Sequence, residues 1–170
     1  MKFIIAILLL TIGAFAQNTT YKDGTECECD SIISTYYESG SLLDETPYKN
    51  GVIHGIYYVY YSFDNNNKLR MSITYTNNKR NGMRYINFLN DGYSYTKFVN
   101  DKAYEEIWYY KSGQIREIKR YDGWVLSGIT KWYFEDGKLA GTATYKNGKL
   151  VGYKKCTDGR FGNERLNCFN

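Results

Sequence analysis

Two stretches in the C-terminal half of the chain repeat each other: residues 107–128, IWYYKSGQIREIKRYDGWVLSG, and residues 131–152, KWYFEDGKLAGTATYKNGKLVG. Aligned on their first glycines, they match Trp108 with Trp132 at a separation of 24 residues. The other matched pairs are Tyr109 with Tyr133, Gly113 with Gly137, Ile115 with Leu139 and Tyr121 with Tyr145. Each copy has an aromatic run, a Gly turn, an alternating run and another Gly turn, a pattern typical of a β-hairpin.

Looser copies of this pattern occupy residues 36–55, 58–82 and 87–101, so about five units cover residues 36–153. No apolar stripe with helical spacing persists for more than a turn. The sequence therefore predicts an all-β chain: an elongated single-layer antiparallel β-meander of roughly ten strands, built from about five hairpin repeats of about 24 residues. The single proline, Pro47, is expected just before a strand, where its missing donor is tolerated.

The motif W-Y-Y-x-x-G-x-I followed by Y-K-N-G-K-L-x-G resembles the bacterial variant of the MORN repeat, as found in YwqK-type antitoxin-like proteins. The resemblance spans residues 36–153. It implies one hairpin per repeat, an extended curved sheet, and structural roles for Tyr, Trp and Gly. Asn65–Asn67 and Asn100-Asp101 replace turn glycines in the middle copies, which depart most from the pattern.

The N-terminus, MKFIIAILLLTIGAFAQ, has a positive end at Lys2, an apolar core and a small-x-small site at residues 14–16. These features predict a signal peptide over residues 1–16 and export to the periplasm or the extracellular space. An uncleaved anchor is the alternative. Residues 17–35 and 154–170 flank the repeats, and we expect them to cap the terminal strands.

Four cysteines in an exported chain favour disulfides. Cys156 and Cys168 enclose a short loop and form the preferred bridge. Cys27 and Cys29 are separated by one residue, so a bridge between them is expected to be strained. Pairing on a second chain, pairing with the C-terminal cysteines, the reduced state and a zinc site remain alternatives, although the usual double Cys-x-x-Cys spacing is missing.

Catalytic motifs are sparse. The single histidine, His54, falls just before a turn glycine, and no G-x-S-x-G motif is present. The adjacent carboxylates Asp44-Glu45 and Glu105-Glu106 would point to opposite faces of a strand, so we expect solvated strand ends and no acid–base pair. The sequence predicts no enzyme activity, no cofactor, no metal and no small-molecule substrate.

Aromatic residues supply the candidate binding surface. Trp108, Trp132, Tyr121 and Tyr145 recur at fixed positions and are expected to pack repeat against repeat. A single-layer sheet has a second face, and exposed aromatic surface usually marks interaction sites. The candidate partner contacts are Tyr85, Tyr109, Trp124 and Tyr133.

Charge is unevenly distributed along the chain. Residues 17–106 carry 9 basic and 12 acidic residues, whereas residues 107–170 carry 12 basic and 6 acidic residues. The candidate basic patch is Lys146, Lys149, Lys154 and Lys155. Such a patch attracts acidic proteins or anionic lipid surfaces, and export argues against nucleic acid as a partner.

Two function hypotheses follow. The first is a non-catalytic, exported protein-binding module, similar to antitoxin or immunity proteins that block a toxin or secreted enzyme by occlusion. The second is a structural scaffold or a membrane-surface-associated envelope protein.

Overall fold

The computed structural model describes residues 19–62 and 68–156 and the backbone of Cys168–Phe169. Within these ranges every regular element is a β-strand and every strand pairing is antiparallel. The all-β antiparallel meander predicted from the sequence is confirmed. The predicted signal peptide, residues 1–16, lies outside the described residues.

The chain divides into two compact units, residues 1–80 and 81–170. The strands of the first unit are β1 (Thr19–Thr20), β2 (Glu26–Cys27), β3 (Ser31–Tyr36), β4 (Leu42–Lys49), β5 (Val52–Ile53), β6 (Gly55–Tyr60) and β7 (Leu69–Thr76). Four of them form an open sheet in the order β3-β4-β6-β7, with β5 paired to β4, and β1 and β2 pair separately. The first repeat hairpin therefore begins at Ser31, within the predicted N-terminal cap.

The second unit contains the remaining strands, and the unit boundary falls inside the first of them. They are β8 (Lys79–Asn87), β9 (Tyr93–Val99), β10 (Lys102–Tyr109), β11 (Ile115–Gly123), β12 (Val125–Leu126), β13 (Gly128–Tyr133), β14 (Leu139–Lys146), β15 (Lys149–Cys156) and β16 (Cys168–Phe169). The sheet order is β8-β9-β10-β11-β13-β14-β15-β16, with β12 paired to β11. The five repeats are the hairpins β3–β4, β6–β7, β8–β9, β10–β11 and β13–β14.

The turns have the backbone conformation that the sequence predicts. Asn147 and Gly148 both have positive φ, 50° and 76°, which is the geometry of a tight hairpin turn. Where the middle copies lack glycine, Asn100 and Asp101 adopt φ of 48° and 67°. Asn and Asp tolerate this left-handed region better than other side chains, so the departures from the repeat pattern preserve the turn.

One hairpin of each unit, β3–β4 and β10–β11, pairs its strands in the same register. Tyr36 and Tyr109 are 73 positions apart, and each ends the first strand of its hairpin, with a bulge in the ladder just before it. The cross-strand pairs Ile32–Pro47, Ser34–Glu45 and Tyr36–Leu42 recur 73 residues later as Glu105–Arg120, Ile107–Ile118 and Tyr109–Ile115. Each of these residues of the hairpin β3–β4 therefore has a counterpart in the hairpin β10–β11.

The core of the first unit lies beneath its N-terminal segment, residues 19–30. Tyr21, Cys27, Leu42, Tyr58 and Tyr60 form a buried cluster. The Tyr21 ring meets Tyr58 edge-on at 4.7 Å between centroids, and its hydroxyl accepts a hydrogen bond of 2.8 Å from the Ile56 N–H. The segment therefore covers a face of the sheet over β4 and β6.

Of the possibilities left open for Cys27 and Cys29, the structure has the bond between the two, with 5.2 Å between their Cα atoms. The expected position of Pro47 just before a strand is wrong. Pro47 lies within β4, opposite Ile32, and its carbonyl accepts the His54 N–H at 3.1 Å. On that edge, β4 pairs with β6 only at Asp44 and Glu45. The β4–β6 ladder therefore needs no N–H donor from Pro47, which is why proline is tolerated there.

Candidate protein-binding face

One face of the second unit carries a continuous row of cross-strand neighbours, which we call the open face. The row runs Tyr85, Tyr95, Ile107, Ile118, Lys131, Thr142, Lys154, each directly opposite the next. Directly opposite residues share a face of the sheet. Lys131 and Lys154 are exposed and the isoleucines are half-buried, so this face presents a mixed apolar and basic surface.

Four tyrosines form a cluster on the open face: Tyr85, Tyr93, Tyr95 and Tyr109. Tyr93 and Tyr109 are stacked, with 4.7 Å between centroids and 12° between planes, and Tyr95 meets Tyr109 edge-on at 6.0 Å. Tyr85 lies 5.3 Å from Tyr95. Partial burial and the neighbouring Tyr93 and Tyr95 raise the pKa of Tyr109.

The opposite face, which we call the packed face, buries a charged network. Glu106 accepts hydrogen bonds from Arg84 at 3.3 Å, from Thr96 at 3.3 Å and from Tyr121 at 3.1 Å. Burial and the adjacent Glu106 carboxylate raise the pKa of Tyr121. This corrects the expectation of a solvated strand end at Glu105-Glu106, since Glu106 is buried whereas Glu105 lies on the open face beside Arg120.

Glu45 departs from its expectation in the same way. It is 3% exposed, and its carboxylate accepts the Tyr60 hydroxyl at 2.6 Å and the Lys22 N–H at 2.9 Å. Burial and this carboxylate raise the pKa of Tyr60. Both carboxylates are therefore held by hydrogen-bond donors, and neither is placed opposite a second carboxylate as an acid–base pair.

The structure brings two of the four candidate contacts together. Tyr85 and Tyr109 belong to the tyrosine cluster. Trp124 is 54% exposed, but its ring packs 5.4 Å from that of Phe98 on the packed face. Tyr133 lines a shallow cavity of about 390 Å³ with Trp132, Arg116 and other residues, and its carbonyl accepts the Tyr110 hydroxyl.

The tryptophans expected to pack between repeats do so. Trp108 stacks on Phe88 at 4.6 Å with Lys119 above it, and Trp132 lies 5.7 Å from Tyr153. The cluster members Tyr93 and Tyr95 were missed as contacts because their copy departs most from the repeat. The alternation Tyr93-Ser94-Tyr95-Thr96, with aromatics on one face only, is the signal that identifies them.

The four lysines of the candidate basic patch are distributed over different places. Lys146 and Lys149 are opposite each other at the end of a hairpin, and Lys154 lies on the open face. Lys155 follows Lys154 on the same strand, points to the packed face and lines the cavity. Cys156 is opposite Cys168 in the β15–β16 register, but the side chain of Cys168 lies outside the described residues, so their bridge remains a prediction.

His54 lies at a turn edge, with its ring nitrogen Nδ1 3.2 Å from the side-chain oxygen of Asn77. Over residues 19–62 and 68–156, no three His, Cys, Asp or Glu side chains converge in a way that suits a metal ion. The described part of the chain also has no helix with the length and apolarity to cross a membrane.

A family model described as "MORN repeat variant" matches three segments of the chain, residues 31–50, 105–122 and 126–147. Three segments of the chain are therefore similar to MORN-type repeats. The matched segments coincide with the hairpins β3–β4, β10–β11 and β13–β14, and the first two of these hairpins pair their strands in the same register. A comparison with curated proteins found no match.

Proposed function

We propose that the chain is a non-catalytic protein-binding module whose open face is the contact surface. The observation that carries the proposal is the tyrosine cluster, in which four aromatic rings contact each other on a half-exposed sheet face. Rigid tyrosines with few rotatable bonds are the side chains that most often anchor protein partners.

The arrangement suits a macromolecular partner better than a small substrate. The open face is a nearly continuous sheet surface, and small-molecule sites are usually enclosed clefts with convergent polar groups. Lys97 lies two residues from Tyr95 on the same strand, and Lys131 and Lys154 lie further along the open face, beyond Ile107 and Ile118. These basic side chains would steer an acidic protein toward the open face.

The finer proposal is an exported module of the YwqK-type, similar to antitoxin or immunity proteins, that acts in the periplasm or outside the cell. Two things support it: the signal-peptide pattern of residues 1–16, and the resemblance of the repeats to that group. In this role the sheet would block a toxin or secreted enzyme by occupying its surface.

The test is affinity capture with the full chain as bait, in extracts of the source cells. We expect one stoichiometric protein partner, which isothermal titration confirms as a 1:1 complex. Replacing two cluster members, Tyr95→Ala with Tyr109→Ala, should weaken the complex at least 100-fold, since loss of a hot-spot residue costs about 2 kcal/mol or more.

The matched control is Tyr36→Ala. Tyr36 is also exposed, at 47%, and belongs to the first unit, outside the open face. It should leave the affinity within about 2-fold. Equal effects of the control and the double variant, or no stoichiometric partner, would contradict a binding role for the cluster.

A second candidate function is membrane-surface association. Three apolar side chains, Val125, Leu150 and Val151, are 46%, 56% and 62% exposed near Lys146 and Lys149. Apolar tips flanked by lysines suit insertion at an anionic lipid surface. Cosedimentation with phosphatidylglycerol vesicles, absent with phosphatidylcholine and lost in Leu150→Ser with Val151→Ser, would support this function.

A further inference from the structure

In the first unit, the sheet face that corresponds to the open face is covered by the N-terminal segment, residues 19–30. The row Ser34, Glu45, Tyr58, Ser72 is the counterpart of the open-face row Ile107, Ile118, Lys131, Thr142. The N-terminal segment covers this row in the first unit, with the Tyr21 ring on Tyr58 and the Lys22 N–H on Glu45. Tyr58 is consequently 9% exposed.

At the matching position in the second unit, no residue within 19–62 or 68–156 provides such a cover. At Gly55, an added Cβ would meet the Tyr21 hydroxyl at 3.1 Å and Pro47 at 3.2 Å. At Gly128, 73 residues later, the nearest atoms belong to the Arg120 side chain at 3.7 Å. Arg120 is the counterpart of Pro47, and no described residue takes the place of Tyr21. Ile129, the counterpart of Ile56, is 47% exposed.

Charge distinguishes the two sites. The covering segment, residues 19–30, carries four acidic residues and one basic residue. Charged residues along the uncovered face include Lys97, Glu105, Arg120, Lys131 and Lys154, and basic residues outnumber acidic ones there. The second unit thus has an apolar site equivalent to that of the first unit, but basic residues surround it. These basic residues would complement the charge of an acidic, strand-like segment.

We infer that the open face of the second unit binds an acidic segment of a partner protein with an aromatic side chain at its tip, in the way residues 19–30 occupy the first unit. The aromatic ring of the partner segment would lie beside Gly128 and Ile129. The carboxylates of the segment would point toward Lys131 and Lys154. This inference rests on the proposed protein-binding role and specifies the chemistry of the partner.

The probe is a synthetic peptide of residues 19–30 with its Cys27–Cys29 disulfide closed, labelled with a fluorophore and titrated into the full chain. We expect saturable binding in fluorescence anisotropy. Lys131→Glu should weaken it at least 10-fold, as should Tyr21→Ala within the peptide. Lys154→Glu supplies an independent test on a neighbouring strand. Lys111→Glu, an exposed turn lysine outside the face, is the charge-matched control and should change the affinity less than 2-fold.

Four results would overturn the inference. These are absence of peptide binding, unchanged affinity in both the Lys131 and Lys154 variants, and equal binding of a peptide whose acidic residues are replaced by amides. The fourth is sedimentation equilibrium showing that the chain alone dimerises and that Lys131→Glu abolishes the dimer, which would make a second copy the occupant. Because the peptide assay needs no cell extract, it can succeed or fail independently of the capture experiment.

Discussion

Adjacent carboxylates on a strand have different environments because successive side chains point to opposite faces. Glu106 enters the packed face and holds the Arg84 guanidinium, whereas Glu105 faces the solvent with Arg120. The Glu106 side chain is 11% exposed and that of Glu105 is 37% exposed. The same residue type thus serves a buried network at one position and a surface pair at the next.

This difference predicts unequal effects of two neighbouring substitutions. Glu106→Ala should lower the free energy of unfolding by about 3 kcal/mol, because it leaves the mostly buried Arg84 charge, 20% exposed, without its carboxylate partner. Glu105→Ala, its matched control, should cost at most about 1 kcal/mol, as exposed ion pairs do. Urea unfolding followed by circular dichroism measures both, and equal losses would contradict the buried network.

Tyr21 provides a prediction about pH. Burial raises its pKa to about 12 in the folded chain, against a usual value of about 10. Between pH 10 and 12 the unfolded chain loses this proton while the folded chain keeps it, so the free energy of unfolding falls as the pH rises. Below pH 10 the protonated form is present in both states and the contribution is constant.

Replacing Tyr21 with phenylalanine measures the contribution of its hydroxyl to the pH dependence of the unfolding free energy. Tyr21→Phe should reduce the decrease in unfolding free energy between pH 10 and 12 by about 2–3 kcal/mol, the equivalent of two pKa units. It should also cost about 1–3 kcal/mol at pH 7, since the buried Ile56 N–H loses its acceptor. Tyr36→Phe, at a tyrosine that is 47% exposed, is the control. A Tyr21→Phe profile parallel to that of the unaltered chain would refute the assignment.

At the scale of the strand, glycines set how closely repeats approach. Gly141 on β14 has neither a turn nor a positive φ to explain it. A Cβ there would lie 2.8 Å from the Lys154 carbonyl oxygen and 2.8 Å from the Trp132 ring. Its function is therefore close contact between β13, β14 and β15, with the Trp132 ring lying over the backbone.

Gly141→Ala should destabilise the chain by about 1–3 kcal/mol, the usual cost of overpacking. The neighbouring strand offers a control in Gly152, where an added Cβ would meet Thr144 at an ordinary 3.7 Å. Gly152→Ala should be neutral or stabilising by up to about 1 kcal/mol, because alanine restricts the unfolded chain. Thermal unfolding of both variants tests this, and a milder effect at Gly141 than at Gly152 would be inconsistent with the close contact.

At the scale of the whole molecule, the two units pair their strands in the same register but differ in what covers the equivalent sheet face. Residues 19–30 fill that face in the first unit and bury Leu42 and Tyr60 to 1% and 5% exposure. The second unit keeps its counterparts, Ile115 and Tyr133, half-buried. A non-repeating segment therefore determines which of the two units has its face covered.

Deleting residues 19–30 should convert the covered face into an exposed one. We expect increased fluorescence of a hydrophobic dye and a loss of at least about 3 kcal/mol of unfolding free energy, since several large side chains lose burial. Adding the same segment back as a free peptide should reverse both changes. A deletion variant that keeps its stability and binds no dye would show that the segment does not cover a core.

Several features follow from the sequence by itself. The Gly and Asn turns at regular spacing, with alternating aromatic strands between them, determine the antiparallel meander, its five hairpins and its structural tryptophans, because turn conformation and strand alternation are local properties. Tyr85 and Tyr109 were also identifiable as surface aromatics.

Other features were decided only by the tertiary structure. The burial of Glu106 and the contact of Tyr93 and Tyr95 with Tyr109 depend on which residues lie opposite one another across strands. That pairing is set by register and bulges. The covering of one unit and the openness of the other depend on where a segment without repeat character folds back, and this is a contact between residues distant in sequence that no local pattern encodes.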